Sequence, residues 1–246
     1  MSLVASLLER FVAAADLLSL VAAFFLAAWL AERRARDAGL APASVASAST
    51  WLGLGALVGA RLVYALPGWP TYLRHPLDLV YIQSGLSLWG GIAGAVAVAL
   101  WLQWRRGLPL GRLADLFAPC LALGVALYDA LSLVRGVSRG IVAPFPLGVV
   151  LPGSSQPRIP VDLWEATLML GLYWLLMWRR GRQRFSGELG LLFLIGFSAI
   201  RAATDFLRVT IGGFPTVDQS LAVVTIALAG AVWAWQARKT PLEKAI

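Results

Sequence analysis

Cysteine and histidine are nearly absent: 246 residues contain one of each, Cys120 and His75. A single thiol rules out a disulfide within the chain and any metal site built from several thiolates. Cys120 lies in the apolar run from Leu113 to Val134, which predicts a small buried hydrophobe. His75 falls in a predicted loop, where a lone histidine reads as structural. Charge is scarce as well. Only 14% of the residues are Asp, Glu, Lys or Arg, against ~25% in a typical soluble domain. The first apolar run lacks a basic leader and a small-residue cleavage site, and it continues into Trp29 and an arginine cluster. It is therefore predicted to be a span and not a removable signal. No metal or cofactor is expected.

What the chain does have is hydrocarbon. Hydrophobic residues make up 59% of it, and mean hydropathy is +0.74. Long apolar runs such as Leu17–Leu30 and Leu163–Trp178 predict helices, whereas a membrane β-barrel alternates over segments of ~10 residues. At ~20 residues per span, the length predicts one polytopic transmembrane domain covering residues 1–246. About seven helices are predicted, near 10–31, 46–67, 84–104, 113–134, 161–178, 188–207 and 219–237. Glycines and prolines punctuate the gaps (Pro67 to Pro70, Pro144, Pro146, Pro152-Gly153, Gly212 to Pro215), and Trp51, Trp101, Trp104, Trp164 and Trp178 sit near run ends.

The net charge of +8 does not point to nucleic acid, because the arginines are clustered between apolar runs. Alternate loops hold Arg33, Arg34 and Arg36; Arg105, Arg106 and Arg112; Arg179, Arg180, Arg182 and Arg184; and Arg238, Lys239 and Lys244. These are 13 of the 21 basic residues. The other loops hold six, at positions 10, 74, 135, 139, 158 and 208, and Arg61 and Arg201 lie inside spans. Positive charge stays inside, so the N-terminus is predicted outside and the C-terminus in the cytoplasm.

Orientation converts sequence position into depth. Asp16, Arg61, Tyr64, Trp89, Tyr128, Asp129, Ser132, Glu165, Arg201 and Asp205 all fall within roughly 10 Å of the outer boundary, with Arg208 just beyond its helix. The inner halves of the same spans are almost purely apolar, apart from Asp115 and Glu188 at their cytoplasmic ends. Charges in hydrocarbon must pair or stay hydrated, so charges from several helices at one depth predict a shared polar cavity. Arg61, Arg135, Arg201 and Arg208 suit an anion, whose outer-leaflet source is a phospholipid headgroup. A structural alternative is that Arg201 and Asp205, four apart, neutralise each other while Arg61 and Asp16 snorkel. A transporter is a further alternative, but the apolar inner halves supply no conduit through both leaflets.

These residues resemble the prolipoprotein diacylglyceryl transferase family over most of the chain. Gly59-Ala60-Arg61-Leu62-Val63-Tyr64 is similar to that family's G-[GA]-R-x-x-Y, and His75-Pro76-Leu77-Asp78 to its H-P-L-[DE]. Gly85 to Gly91 resembles G-x-S-F-H-G-G, and Asp115 to Pro119 resembles D-x-x-A-P. Leu123 to Gly140 follows, without a gap, the segment ending G-R-I-G-N-F-I-N-G-E-x-x-G. Arg158 to Ala166 resembles R-H-P-x-Q-L-Y-E-A, and Arg201 to Arg208 resembles R-[FI]-x-x-E-F-x-R.

The resemblance implies an enzyme of the bacterial inner membrane that moves a diacylglyceryl group from phosphatidylglycerol to the cysteine thiol of a lipoprotein precursor. Such a reaction needs a base for the thiol and positive charge for the departing glycerol phosphate. By the same resemblance Arg201 and Arg208 face the phosphate, while Arg61, Glu165, Gly136 and Gly140 match the pattern. The candidate catalytic carboxylates are Asp129, Glu165 and Asp205, the last in place of a glutamate; Arg135, Ser132 and Gly140 complete the expected binding set. Several positions depart. The histidine of S-F-H-G-G is Trp89, which accepts no proton. The signature arginine is Asp129, its first asparagine is Ser132, and its glutamate is Val137; Asp16 stands near a missing tyrosine of the first span. A catalytically inactive homologue that binds phospholipid or lipoprotein precursor is the second expectation, from a different functional class.

Overall fold

The computed structural model describes residues 3–79, 85–134, 140–150, 155–209 and 215–239. Among them are seven long α-helices: α1 (Leu3–Arg34), α2 (Pro42–Ala65), α4 (Leu88–Arg106), α5 (Leu110–Val134), α6 (Val161–Arg179), α7 (Glu188–Asp205) and α8 (Val217–Lys239). A short α3 (Trp69–Arg74) and three 3-10 turns lie between α1 and α4. The seven long helices coincide with the seven predicted spans, with most ends within about four residues. The chain is an all-α membrane protein. Three of the described helical stretches, Pro42–Arg74, Leu110–Leu133 and Val217–Lys239, are each long and apolar enough to cross a bilayer. Large apolar side chains stand exposed along the helices, among them Leu18, Phe25, Val58, Trp174 and Leu228, an arrangement suited to lipid and not to water.

The chain divides into two compact units: Glu32–Leu113, and Met1–Ala31 with Ala114–Ile246. In the first, α2 packs on α4 through glycines. A Cβ on Gly59 would strike the Gly90 carbonyl and the Gly94 backbone, and one on Gly94 would strike the Gly55 carbonyl. Backbones approach this closely only where side chains are absent, a packing mode common between membrane helices. Ser87 caps α4 by accepting from the Gly90 N–H at 3.3 Å, and its own N–H reaches the Ala60 carbonyl at 3.0 Å. Gly107, at φ 62°, ends the helix in the left-handed conformation that glycine alone adopts without strain.

In the second unit, α7 packs against α6 and α8. Gly196 faces Leu172 of α6, and Gly190 faces Ala114 of α5. Met169, Leu172, Leu176, Leu189, Phe193 and Phe197 are buried, with the last two rings stacked at 5.7 Å. Small residues of α1 (Ala23, Ala27, Ala31) are buried as well, and Gly124 of α5 rests against Ala23 and Ala27. At the arginine-rich end, Asp115 accepts from the N–H groups of Gly187 (2.7 Å), Leu189 (2.8 Å) and Gly190 (3.4 Å), satisfying donors that the first turn of α7 leaves open. Glu188, fully buried, binds Arg179 at 2.9 Å and the Arg184 N–H at 2.5 Å. Thr216 and Gln219 form a reciprocal capping box that starts α8. The two carboxylates expected at cytoplasmic span ends therefore lock helix termini.

Candidate functional site

At the opposite end of α6 and α7, one carboxylate organises the unit. Glu165, one turn into α6, is 0% exposed. Its Oε2 accepts from Arg201 Nη1 at 2.8 Å and from Arg208 Nη2 at 2.5 Å, while Thr204 donates its hydroxyl to Oε1 at 2.5 Å. These three donors offset the cost of burying the carboxylate. Asp162, one turn before Glu165, adds a longer ion pair to Arg208 at 3.6 Å. Residues 162 and 165 lie on one face of α6, and 201, 204 and 208 follow one stripe along and past the end of α7. Helix periodicity therefore assembles the cluster from two elements.

The arginines are not used up by these contacts. A guanidinium carries five N–H donors, and each arginine spends one on Glu165. Their side chains remain 30% (Arg201) and 19% (Arg208) exposed. Glu165 thus aims two cations whose remaining donors suit the fork geometry of a phosphate.

Asp129 of α5 completes the group. It lies within electrostatic reach of Glu165, Arg201, Asp162 and Arg208. It is only 3% exposed, yet its Oδ2 has no hydrogen-bond partner among the described residues. Ser132, three residues further along α5, is buried and gives its hydroxyl to the Tyr128 carbonyl at 3.0 Å. Gly140 pairs backbone-to-backbone with Arg208, and its carbonyl accepts from Arg158 Nη1 at 2.9 Å. A Cβ at Gly140 would collide with the Ile159 carbonyl, so this crossing requires glycine. The Ile141 N–H reaches Leu207 at 2.9 Å and the Ile159 N–H reaches Ile141 at 3.0 Å, which ties the loop to the segments just before α6 and just after α7.

Other expected residues have further partners. Arg201 pairs across helices with Glu165, not along its own helix with Asp205, so the mutual neutralisation weighed from their spacing is not what the structure contains. Asp205 accepts from the Thr216 hydroxyl at 2.6 Å, which joins the end of α7 to the start of α8. In the other unit, Arg61 is 6% exposed and donates to the carbonyls of Leu79 (2.8 Å), Asp78 (2.5 Å) and Gly85 (3.0 Å). Its guanidinium also lies over the rings of Tyr64 and Tyr72. Those bonds join α2 to the backbone at residues 78, 79 and 85. Arg135, Gly136 and Val137 lie outside the described residues, as does the side chain of Asp16. Thr204, Asp162 and Arg158 were not anticipated; the three-residue spacing from Glu165 and Arg201 is the signal that identifies the first two.

Comparison with known proteins bears on this geometry. Residues 17–235 match the family model described as prolipoprotein diacylglyceryl transferase. A relative from Paracidovorax citrulli, named phosphatidylglycerol–prolipoprotein diacylglyceryl transferase, is 33% identical over 250 residues, covering 91% of each chain. Proteins of the same name from Synechococcus elongatus (29% identity, 91% of this chain and 84% of theirs) and Vibrio atlanticus (30%, 87% and 83%) are similar to it across nearly the same span. With a family match over most of its length, and with the arginines of its last signature segment gathered on one buried glutamate, the chain belongs to the prolipoprotein diacylglyceryl transferase family.

Proposed function

We propose that this protein moves the diacylglyceryl group of a phospholipid, phosphatidylglycerol by the names of its relatives, onto the cysteine thiol of a lipoprotein precursor at the outer face of a bacterial inner membrane. The observation that carries this reading is Glu165 holding two part-exposed arginines at the end of the helices opposite the arginine-rich loops. In the reaction, the thiolate sulfur bonds to the terminal glycerol carbon of the donor. The bond from that carbon to the phosphate oxygen breaks, its electron pair leaves on the oxygen, and glycerol phosphate departs. Arg201 and Arg208 stabilise that departing charge, an electrostatic contribution typically worth ~10²–10³ in rate per donor group.

The thiol proton needs an acceptor. Three carboxylates are candidates, and their partners favour one of them. Glu165 has both oxygens occupied by donors, and Asp205 is engaged by Thr216. Asp129 keeps an oxygen without a hydrogen bond inside the cluster, and it is the residue we assign as proton acceptor. Ser132 lies one turn from Asp129 on α5, and Gly140 is paired to Arg208, so we assign both to the binding site together with Arg61. The arginine-rich loops face the cytoplasm, so the N-terminus lies outside and the cluster at the outer-leaflet level.

The second reading is a non-catalytic homologue that holds phospholipid or precursor. It is favoured by Trp89, whose indole accepts no proton, at the place where the family pattern carries histidine. Purified protein supplied with phosphatidylglycerol and a lipobox peptide separates the two. A thioether-linked diacylglyceryl peptide, absent with a Cys→Ser peptide, is expected of the enzyme; retained lipid without product identifies the binder.

A further inference from the structure

From Gly140 to Val150 the chain reads Gly-Ile-Val-Ala-Pro-Phe-Pro-Leu-Gly-Val-Val, eleven residues without a polar side chain, in a loop outside the helices. The loop is pinned by its own backbone. The Ala143 N–H reaches Pro157 at 3.1 Å, Val149 and Arg158 exchange both backbone bonds at 2.9 and 3.1 Å, and the N–H groups of Leu147 and Gly148 both reach Pro144. A Cβ on Gly148 would strike the Ala143 carbonyl, so the turn closes as tightly as the backbone allows. Ala143 and Gly148 are buried beneath it. Phe145 (87% exposed) and Leu147 (62%) project from the tip, flanked by exposed Val142, Val149 and Val150.

A rigid turn that holds its largest apolar groups outward is built to meet something apolar. Two further features identify the partner. The segments that the loop is hydrogen-bonded to, around Ile159 and Leu207, lead into further exposed apolar side chains, Leu163 and Trp164 at the start of α6 and Phe206 and Val209 beyond α7, all within the same unit. And the stretch carries no side-chain donor, acceptor or charge with which to select a protein partner, whereas a lipid leaflet requires only apolarity. We propose that the Pro144–Leu147 turn is a foot inserted into the outer leaflet, its partner the acyl region of the bilayer. Because Gly140 is paired to Arg208 and Ile141 to Leu207, the foot also sets the depth of the Glu165–Arg201–Arg208 cluster against the layer of headgroup phosphates.

Cys120 is fully buried, so a cysteine added at the surface is the one that labels. Full-length Phe145→Cys, Leu147→Cys and Ser155→Cys proteins, each carrying an environment-sensitive fluorophore, are reconstituted in phosphatidylglycerol–phosphatidylcholine vesicles containing chain-brominated lipid. Bromine should quench the label at 145 and 147 severalfold more than at 155, and aqueous cobalt should show the reverse order. Labels at 145 and 147 reached by cobalt and untouched by bromine overturn the proposal. So does shielding at 145 that appears only when a lipobox peptide is added, which makes the turn a docking surface for the precursor. Neither result depends on whether the protein transfers diacylglyceryl, so the depth of the foot stands or falls separately from the enzymatic reading.

Discussion

Glu165 on α6 and Arg208, three residues past the end of α7, meet at 2.5 Å, and the glutamate is shut away from solvent while the arginine is not. The same Oε2 accepts from Arg201 at 2.8 Å. One buried anion therefore orients two cations that still face outward. On the proposed reading, the glutamate's contribution is positional and structural, and the arginines' is to the ligand.

That division makes Glu165 the most costly residue of the cluster to remove. Glu165→Ala leaves two guanidinium groups without their anion, and losing one member of a buried pair typically costs about 3–5 kcal/mol. Thermal unfolding in detergent should show a clear drop in Tm, with phospholipid binding lost as well. An unchanged Tm would mean that the carboxylate is not holding α6 to α7.

Arg201→Lys keeps the charge and loses the planar fork. Stability should change little, because a part-exposed position tolerates an ammonium. Transfer should fall ~10–100-fold if one directed phosphate contact, about 1.4–2.7 kcal/mol, is lost. Initial rates of peptide lipidation with phosphatidylglycerol measure this.

Asp129→Asn is nearly isosteric and removes the proton acceptor alone. A general base contributes ~10²–10⁴ in rate, so lipidation should drop by that order while phospholipid retention persists. Rates equal to the unsubstituted protein would remove Asp129 from the mechanism.

Asp115 provides a comparison at the other end of the same helices. It accepts from three backbone N–H groups at the start of α7. Asp115→Ala should lower stability by about 1–2 kcal/mol, as lost N-terminal caps do, and leave the lipid preference unaltered. Chemical denaturation and a lipid-binding comparison check both halves of that expectation.

Much of this arrangement was legible from the chain alone, because hydropathy and arginine placement are one-dimensional signals. Helix positions followed from apolar run lengths, and the grouping of Asp129, Glu165, Arg201 and Arg208 toward one end of their helices followed from counting residues along each run. Rotation about the helix axis was harder to read. Thr204 and Asp205 differ by ~100° around α7, enough to send one to Glu165 and the other to Thr216. Arg61 lies inside α2 as expected, but its guanidinium turns to the carbonyls of Asp78, Leu79 and Gly85. Asp78 and Leu79 lie in a 3-10 turn and Gly85 lies just before α4, positions that no helical periodicity relates to Arg61.

Lipid retention by the doubly substituted protein tests the phosphate site most directly. Native mass spectrometry of the purified protein should find phosphatidylglycerol bound, and Arg201→Ala combined with Arg208→Ala should abolish that adduct while Asp129→Asn leaves it. An adduct of equal abundance on the doubly substituted protein would contradict the assignment, because the headgroup would then be held somewhere other than the arginines on Glu165.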